Sequence, residues 1–452
     1  LESINDLNGT QGTIGCMVLE DKQHNIWLVS EFIVTRVTLA KNNQGKWDIT
    51  MISFNSLDGL QSRQFNQRSA CLMRNGAIAI GGPGAVFWMW MLALLGSASA
   101  FIESTLAQLY KRKGKTSFYG GPAYYMKYGL GKGWMGILFA VLMIITFGFA
   151  YNSVQSNTIC LAWQKAFGIE PATMGIILTA LTLLIIFGGI QRVAKFSSTV
   201  VPVMAVVYLL IAVGVVIWNI TSLPKVLLII IENAFGFNQA AGGVLGVTVI
   251  QGIKRGLFSN EAGEGSAPNA AAVATVSHPV KQGLIQALGV FTDTLVVCSC
   301  TAFIILMSGV DVTASNGIQL TQDALTHEIG SIGNPFVAVM IWLFAFSSII
   351  GNYYYGETNV RYIKDSRLGV FIYRLAVAAM VMIGAIVSLD FAWSFADITM
   401  ALLTLCNLAA IVLLSRQAVF LLQDYRQQKK EGKNPVFNKE KMPEIADKLE
   451  AW

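Results

Sequence analysis

The stretch GLFSNEAGEGSAPNAAA, residues 256–272, decides how this chain must be built. It holds three glycines, a proline, two glutamates and two asparagines, yet AAGGVLGVTVIQGI precedes it and its end runs into NAAAVATV. Each apolar piece is about long enough for half a bilayer crossing. Backbone that is not helical is tolerated at that depth only where it is buried in protein or lines a cavity. The stretch therefore predicts a transmembrane helix that is broken at its centre.

A broken helix leaves N–H groups unpaired on its second half and carbonyl groups unpaired on its first half. These two poles attract an anion and a cation, and secondary transporters use them to bind a substrate carboxylate and a coupling ion. Gly263 and Gly265 would let the backbone approach a ligand, Ser259 and Asn260 would supply polar side chains, and Pro268 would begin the second half-helix. The alternative is a cytoplasmic loop, which the neighbouring Lys254 and Arg255 favour.

Composition places the chain in the membrane class. Of 452 residues, 54% are hydrophobic and only 13% are charged, about half the charged share of a soluble domain. Apolar windows of about 20 residues predict an all-α polytopic membrane protein in a lipid bilayer. The nine predicted crossings lie near 84–110, 133–165, 172–190, 195–220, 239–276, 282–308, 332–358, 368–388 and 391–415.

Positive charge gathers in alternate connections, which sets the orientation. YKRKGK, QRVAK, HPVKQG, RYIKDSR and RQQKKEGK follow the odd-numbered crossings, whereas GIEPAT and GVDVTASNG between them hold no Lys or Arg. Because cytoplasmic loops carry the excess of Lys and Arg, the C-terminus is predicted to be cytoplasmic. The net charge of +6 then needs no nucleic-acid partner. Two short polar-flanked segments, 223–236 and 317–330, are predicted to be external helices.

The first eighty residues differ from the rest, because charges interrupt every apolar patch and no window approaches 20 residues. The predicted organisation is an aberrant polar segment over 1–80, a transmembrane core over 81–424 and a basic cytoplasmic tail over 425–452.

The sequence shows no recognisable catalytic or metal-binding motif. The six cysteines and three histidines form no metal-ligand spacing, and His-Glu-x-x-His, Gly-x-Ser-x-Gly and P-loop motifs do not occur. The chain is therefore predicted to have no enzymatic activity and to use no cofactor.

Polar side chains inside apolar windows are functional candidates because they are costly there. Asp293 lies near the centre of its crossing and is a candidate ion or proton ligand, or else a structural partner of Lys254 or Arg255. Gln155 faces either a ligand or a neighbouring helix.

Further polar and aromatic positions have two interpretations each. Ser347 and Ser348 offer oxygen to a hard cation or only pack helices. Trp393 belongs either to an interfacial belt or to a pocket wall. Three acidic residues lie near predicted span ends, which favours a solvated or paired interfacial role: Glu103, Glu357 and Asp397.

Several motifs, in order along the chain, resemble the alanine/glycine:cation symporter family, also called the sodium:alanine symporters. They are GGPGAVFWMWMLALLGSASAFIESTLAQLY, GGPAYYMKYGLG, FSNEAGEGSAPNAAA, GVFTDTLVVCS, FAFSSIIGNYYYGE and WSFADITMALLTLCNL. The resemblance covers about residue 76 to the C-terminal tryptophan.

The resemblance implies eleven helices, ten of them in a leucine-transporter-type inverted-repeat bundle of the APC superfamily, of which about nine are recognisable here. The second and seventh helices would be discontinuous and would bind a small neutral amino acid with sodium. The implied substrate residues are Gln155, Phe258, Ser259, Asn260, Gly263, Gly265 and Trp393. By fold analogy only, the implied sodium ligands are Asp293, Thr294, Ser347 and Ser348.

The sequence also departs from the family. FNQRSACLMRN stands where the family has a Gly-Thr-Gly-Asn-Ile-Ala-Gly type of segment, and the chain starts at Leu1, which suggests an altered reading frame, a fragment or an artificial sequence. Glu264 adds a negative charge that is expected to weaken anion binding. The predicted function is sodium-coupled import of alanine or glycine, with Na⁺ as coupling ion, across a bacterial inner membrane. The alternatives are an inactive relic that lacks half of its site, and an ion channel.

Overall fold

A computed structural model describes residues 82–114, 117–188, 190–235, 242–310 and 317–452, together with the backbone of strands between residues 17 and 79. Side chains are not described for 190–201, 242–245 and 247, nor for any of the strands before residue 82. The segment FNQRSACLMRN, apart from its short strand at Cys71–Leu72, lies outside the described residues.

The N-terminal segment contains strands and no described helix. β1 (Met17–Glu20), β2 (Ile26–Val29), β3 (Val34–Lys41) and β4 (Trp47–Phe54) form one antiparallel sheet in chain order. In the longest pairing Val34 lies opposite Phe54 and Lys41 opposite Trp47. β5 (Cys71–Leu72) and β6 (Ile78–Ala79) form a second, two-stranded sheet. β3, VTRVTLAK, is rich in the β-branched residues Val and Thr, which favour strands, and its polar residues interrupt any apolar window.

From residue 82 onward the described chain is helical except for a two-stranded ribbon, β7 (Arg112–Lys113) and β8 (Phe118–Tyr119). The helices are α1 Ala85–Leu109, α2 Pro122–Tyr124, α3 Gly133–Met143, α4 Asn152–Phe167, α5 Pro171–Ile186, α6 Ile190–Trp218, α7 Leu223–Phe235, α8 Gly242–Asn260, α9 Ala267–Ala271, α10 Val280–Val290, α11 Ser299–Met307, α12 Ile318–Ile329, α13 Gly333–Ile363, α14 Arg367–Ile386 and α15 Leu389–Lys430. All nine predicted crossings and both predicted short helices coincide with helices.

The number of crossings differs from the predicted nine. Among the described residues six helical segments are long and apolar enough to span a bilayer, or seven if the bent pair Pro202–Trp218 and Ile220–Phe235 is one span. α5 has only 16 residues, and the predicted fifth crossing is divided between α8 and α9. Neither piece reaches the about 20 apolar residues of a full span.

The chain divides into two compact units. Unit 1 comprises Leu1–Met89, Thr221–Ile253 and Gly309–Asn316, and unit 2 comprises Trp90–Ile220, Lys254–Ser308 and Gly317–Trp452. Within unit 1 the indole N–H of Trp88 donates to the carbonyl of Ala234 at 3.0 Å, and the rings of Phe87 and Phe235 meet edge to face at 5.0 Å. These contacts join the start of α1 to the end of α7.

Unit 2 is a helix bundle with small residues at its closest contacts. α13 and α14 both pack on α4, and α14 also packs on α5. A Cβ on Gly384 would lie 2.5 Å from the backbone of Ser153, and one on Gly148 would lie 2.9 Å from the ring of Tyr373. Close approach at small residues is how helices associate in lipid. Large apolar side chains point outward instead, as at Leu210, 68% exposed, which suits a hydrocarbon solvent.

Three helical segments in unit 2 are π-helical rather than α-helical. They are Tyr125–Gly129, Ile144–Tyr151 between α3 and α4, and Phe291–Cys298 between α10 and α11. A π segment inserts extra residues into a turn and occurs often at functional sites. All three contribute side chains to the contacts around the broken helix described below.

The C-terminal tail folds back on unit 2. Phe437 is 6% exposed, its N–H donates to the carbonyl of Ser277 at 2.9 Å, and its ring lies 5.8 Å from His278 and 5.4 Å from Trp452. The indole N–H of Trp452 donates to the carbonyl of Gln108 at 3.0 Å. The tail is thus part of the packed core, which its basic composition did not indicate.

Replacing Phe437 by alanine is expected to lower stability by about 3–5 kcal/mol, because it empties a buried ring site. The apparent unfolding temperature of the purified protein in detergent measures the loss. Val436→Ala is the matched control, since Val436 is adjacent in sequence and 57% exposed. Equal unfolding temperatures for the two variants would show that the tail is not docked.

Candidate functional site

The helix is broken where the sequence predicts. α8 ends at Asn260 and α9 begins at Ala267, with Pro268 in its first turn. Gly263 has φ +87° and Gly265 has φ +82°, both in the region that favours glycine. Glu261, with φ +53°, is the one non-glycine of the described residues in that region. Left-handed backbone at a non-glycine residue is a strained state that other contacts must hold.

The break lies inside the protein. Ala262 is 4% exposed, Glu264 and Ser266 are 0% exposed, and Gly263 and Gly265 are buried as well. A loop exposed to the cytoplasm would leave these residues in contact with water, so their burial argues against that alternative. Since peptide groups cannot be left unpaired in such a place, their partners determine the chemistry of the break.

Protein side chains satisfy much of the exposed backbone. The N–H of Ala262 donates to the side-chain oxygen of Asn260 at 3.0 Å. The N–H of Gly263 donates to Glu103 Oε1 at 3.3 Å, and its carbonyl accepts from Asn407 Nδ2 at 2.9 Å. Asn269 donates to the carbonyls of Gly265 and Ser266 at 2.8 and 3.1 Å. The poles of the break are therefore engaged by polar groups from α1, α9 and α15.

Glu103 is not the interfacial residue that its position near a span end suggested. It is 0% exposed, and its second oxygen accepts from Asn407 Nδ2 at 2.8 Å. The turn of α1 that carries it faces the break, so packing and not depth along the helix decides its environment. The other two acidic residues of that group are paired: Glu357 contacts Arg361 at 2.7 Å and Arg374 at 3.4 Å, and Asp397 contacts two basic residues described below.

Two more carboxylates belong to the break. Both oxygens of Glu264 lie 3.0 Å from the hydroxyl of Tyr151, which donates to them, and Glu261 accepts from the hydroxyl of Ser266. Tyr151 ends one of the π segments. Glu264 is thus anchored to the π segment Ile144–Tyr151, and its side chain is already hydrogen-bonded within the protein.

The end of α8 contacts the π segment Phe291–Cys298. The hydroxyl of Ser259 donates to Asp293 Oδ2, and the amide of Asn260 donates to Thr294 Oγ1 at 3.1 Å. Two predicted substrate residues and two predicted sodium ligands therefore lie side by side. Oxygen atoms of this kind are the ligands that hard cations prefer.

The alternative pairing of Asp293 with Lys254 or Arg255 does not occur. Lys254 and Arg255 both contact Asp397 on α15, at 3.1 and 2.8 Å. This arrangement ties the last turns of α8 to α15 and leaves Asp293 with Ser259.

Aromatic rings line the α8 side of the break. The ring of Phe258 lies 4.7 Å from that of Tyr151 and 4.6 Å from that of Trp393, and the guanidinium of Arg255 lies 4.0 Å from the Trp393 ring. Gln155 lies one turn after Tyr151 on α4 and is half-buried, with no hydrogen-bond partner among the described residues. Phe258 and Trp393 are thus in contact, with Gln155 on the neighbouring turn.

No hydrogen bond among the described residues links Ser347 or Ser348 to Asp293, Thr294 or the end of α8. Both hydroxyls donate to the carbonyl of Phe344 on their own helix, at 2.7 and 3.1 Å. Serines often bond in this way within a helix, and each oxygen keeps lone pairs for a cation.

A cavity of about 850 Å³ lies elsewhere in unit 2, and no predicted site residue lines it. Its wall includes Tyr124 and Tyr353 with the ion-paired Glu357 and Arg361, and it approaches the break only at Val273, two residues after α9. Polar contacts, and not this volume, therefore identify the candidate site.

Two site residues, Tyr151 and Asn407, were not identified from the sequence, and Glu103 was given an interfacial role. Each of the three is a polar group within an apolar run, which is a signal in the sequence. Which groups on α1, on the π segment Ile144–Tyr151 and on α15 meet at the break cannot be known without the fold. Tyr125 was missed as well, and its hydroxyl donates to the side-chain oxygen of Asn407.

A bundle of apolar helices around a buried helix break is the architecture of a multi-pass membrane protein of the secondary-transporter class. Residues 75–439 match the sodium:alanine symporter family, and the chain belongs to that family. It is similar to the probable sodium/glutamine symporter GlnT of Bacillus subtilis (strain 168), with 56% identity over 80% of this chain and 76% of that protein. Amino-acid carrier protein AlsT of the same organism is 52% identical, covering 83% and 80%. The sodium/proton-dependent alanine carrier protein of Bacillus sp. (strain PS3) is 36% identical, covering 80% and 86%.

Replacing Gly265 by alanine is expected to be strongly destabilising. The added Cβ would lie 2.7 Å from Pro122 Cγ and 2.8 Å from Phe139 Cζ. The left-handed backbone costs about 1–2 kcal/mol for an L-residue, and overpacking adds about 1–3 kcal/mol.

Gly131→Ala is the matched control, because Gly131 has φ +70° and no atom within 4 Å of the added Cβ. It should show the backbone cost alone. Thermal unfolding in detergent compares the two variants, and an equal loss would contradict the close packing at the break.

Proposed function

We propose that this chain is a sodium-coupled symporter that imports a small neutral amino acid by alternating access, with alanine or glycine as the preferred substrate. The observation that carries the proposal is the buried break between α8 and α9, whose backbone is held in a non-helical conformation inside the bundle. Such breaks offer main-chain groups to a zwitterion and its coupling ion. No covalent step is required.

The electrostatics of the break support cation binding. Four carboxylates surround it and none is ion-paired to Lys or Arg within the described part of the chain: Glu103, Glu261, Glu264 and Asp293. A sodium ion and the ammonium group of an amino acid would both be attracted there. The substrate's carboxylate would instead meet N–H groups where the second half-helix begins.

For the sodium ion we propose Asp293 and Thr294 as ligands, with Ser347 and Ser348 as a second pair. Asp293 and Thr294 are supported by their contact with Ser259 and Asn260, because a shared wall gives the two ligands a direct route to influence each other's affinity. The second pair is supported only by its oxygen chemistry. Gln155, Phe258 and Trp393 are proposed to contact the amino acid together with the backbone of Gly263 and Gly265.

Glutamine is the main rival substrate. The relative at 56% identity is named as a probable sodium/glutamine symporter, whereas other relatives are named for alanine. The aromatic contacts of Phe258 with Tyr151 and Trp393 favour a small side chain. We propose a bacterial inner membrane as the location, with the C-terminus in the cytoplasm, on the basis of the Lys and Arg in alternate loops.

Uptake by proteoliposomes tests the proposal. An inward sodium gradient should drive accumulation of radiolabelled alanine or glycine, and excess unlabelled glutamine should compete poorly. Replacing sodium by choline should abolish uptake, which separates sodium coupling from proton coupling. Uptake no greater than in empty liposomes would favour the inactive relic. Ion currents far above transporter turnover, without dependence on alanine, would favour a channel.

Asp293→Asn should raise the sodium concentration that gives half-maximal uptake by about tenfold, since it removes one charged ligand. Asp323→Asn is the control, because Asp323 loses the same charge but contacts Lys165 at 2.6 Å on a different helix. Sodium titration of uptake measures both. An unchanged sodium dependence in Asp293→Asn, with full expression, would rule Asp293 out as a ligand.

A further inference from the structure

One residue in the break, Gly263, is held by side chains at both of its main-chain polar groups. The N–H of Gly263 donates to Glu103, and the carbonyl of the same residue accepts from Asn407. Glu103 and Asn407 also contact each other at 2.8 Å. The three residues come from α8–α9, α1 and α15, so a closed ring of hydrogen bonds joins three parts of the bundle.

Each hydrogen bond in this ring has a defined donor and a defined acceptor. Both oxygens of Glu103 accept, one from the Gly263 N–H and one from the Asn407 amide. The oxygen of Asn407 accepts from the hydroxyl of Tyr125, which fixes the amide so that its nitrogen faces Glu103 and the Gly263 carbonyl. Glu103, Asn407 and Tyr125 are each 0% exposed, so water does not compete.

The ring explains how Gly263 keeps its conformation. A φ of +87° opens the backbone and prevents helical hydrogen bonding at this residue. An acceptor side chain at the N–H and a donor side chain at the carbonyl replace the helical partners that are lost. A carboxyl group has two oxygens, so Glu103 can accept from the Gly263 N–H and from the Asn407 amide at the same time.

We infer that Glu103 is a positioning residue for the break. Glu103 acts through Asn407 and the main chain of Gly263, without contacting the substrate. Glu103 holds the main chain in the conformation to which the amino acid and the sodium ion bind. For its effect on substrate affinity this inference rests on the proposed symport, whereas its effect on the backbone does not.

The first variant is Glu103→Gln, which has the same shape. Its amide can accept from one donor only and presents an N–H₂ group to the other, so the ring is broken at one contact. We expect the concentrations of amino acid and of sodium that give half-maximal uptake to rise about tenfold, the loss expected when one buried hydrogen bond is broken. The maximal rate per folded protein should fall less.

The control variant is Glu328→Gln. The Glu328 side chain is also largely buried, at 9% exposure, and it also accepts from an asparagine amide, that of Asn219, at 2.7 Å. It lies on α12 and has no contact with the ring described above. Its uptake parameters should equal those of the wild type.

A rescue variant combines Glu103→Gln with Asn407→Asp. This pair exchanges donor and acceptor across the 2.8 Å contact, so the new amide donates to the new carboxylate. Asn407→Asp alone places two carboxylates together and should be the worst of the set. Because Asn407→Asp also removes the donor to the Gly263 carbonyl, the double variant should recover part of the affinity lost in Asn407→Asp alone, which a general loss of stability would not produce.

Hydrogen exchange measured by mass spectrometry, in nanodiscs without ligand, reads the backbone directly. Peptides that cover 257–266 should exchange faster in Glu103→Gln than in the wild type or in Glu328→Gln, while peptides from α13 and α14 should not change. Wild-type exchange at the break in Glu103→Gln would overturn the inference, and so would equal effects from Glu328→Gln.

The two proposals fail in different ways. If the wild-type protein shows no sodium-driven uptake but Glu103→Gln still speeds exchange at 257–266, the symport proposal fails and the positioning role stands. If uptake occurs and the half-saturating concentrations are unchanged in Glu103→Gln, the positioning role fails and the symport proposal stands.

Discussion

The need to pair every peptide group inside a membrane protein is the constraint on which this structure depends. A helix satisfies it along most of the chain, but between Asn260 and Ala267 the chain gives up helical hydrogen bonds. Side chains from distant helices then supply the partners. Glu103 and Asn407 are therefore as much a part of the break as Gly263 itself.

This arrangement brings several groups that can bind a ligand together in a small volume. Acidic side chains that form no ion pair within the described part of the chain lie beside strained backbone. The π segments Ile144–Tyr151 and Phe291–Cys298 place Tyr151, Asp293 and Thr294 against it. A cation binding there would compete with, or be shared by, the hydrogen bonds that now hold the break. Binding can shift a conformational equilibrium only through such differential contacts, so the break is the natural place for coupling between two ligands.

Membership of the sodium:alanine symporter family is consistent with this picture. The relatives are named for different amino acids, so family membership leaves the substrate to be decided by side chains around the break. In the proposed function, that selectivity is expressed at the aromatic contacts of Phe258 with Tyr151 and Trp393 and at the half-buried Gln155. The large cavity near Tyr353 and Arg361 lies apart from these residues.

The sequence by itself determined the membrane class, the helical segments and the place of the break. Apolar windows mark helices because lipid admits few alternatives, and the glycines and Pro268 in residues 256–272 mark the break because helices tolerate them poorly. Asp293 was found for a similar reason, since an acidic residue amid apolar ones stands out.

Only the tertiary structure decided which groups meet. Local spacing placed Glu103 near a span end, but its burial depends on the face that α1 turns toward the break, and its partner Asn407 lies 304 residues further along the chain. The same holds for Lys254 and Arg255, which pair with Asp397 and not with Asp293. Hydrogen bonds act over about 3 Å, so their partners are fixed by packing, which the order of residues does not display.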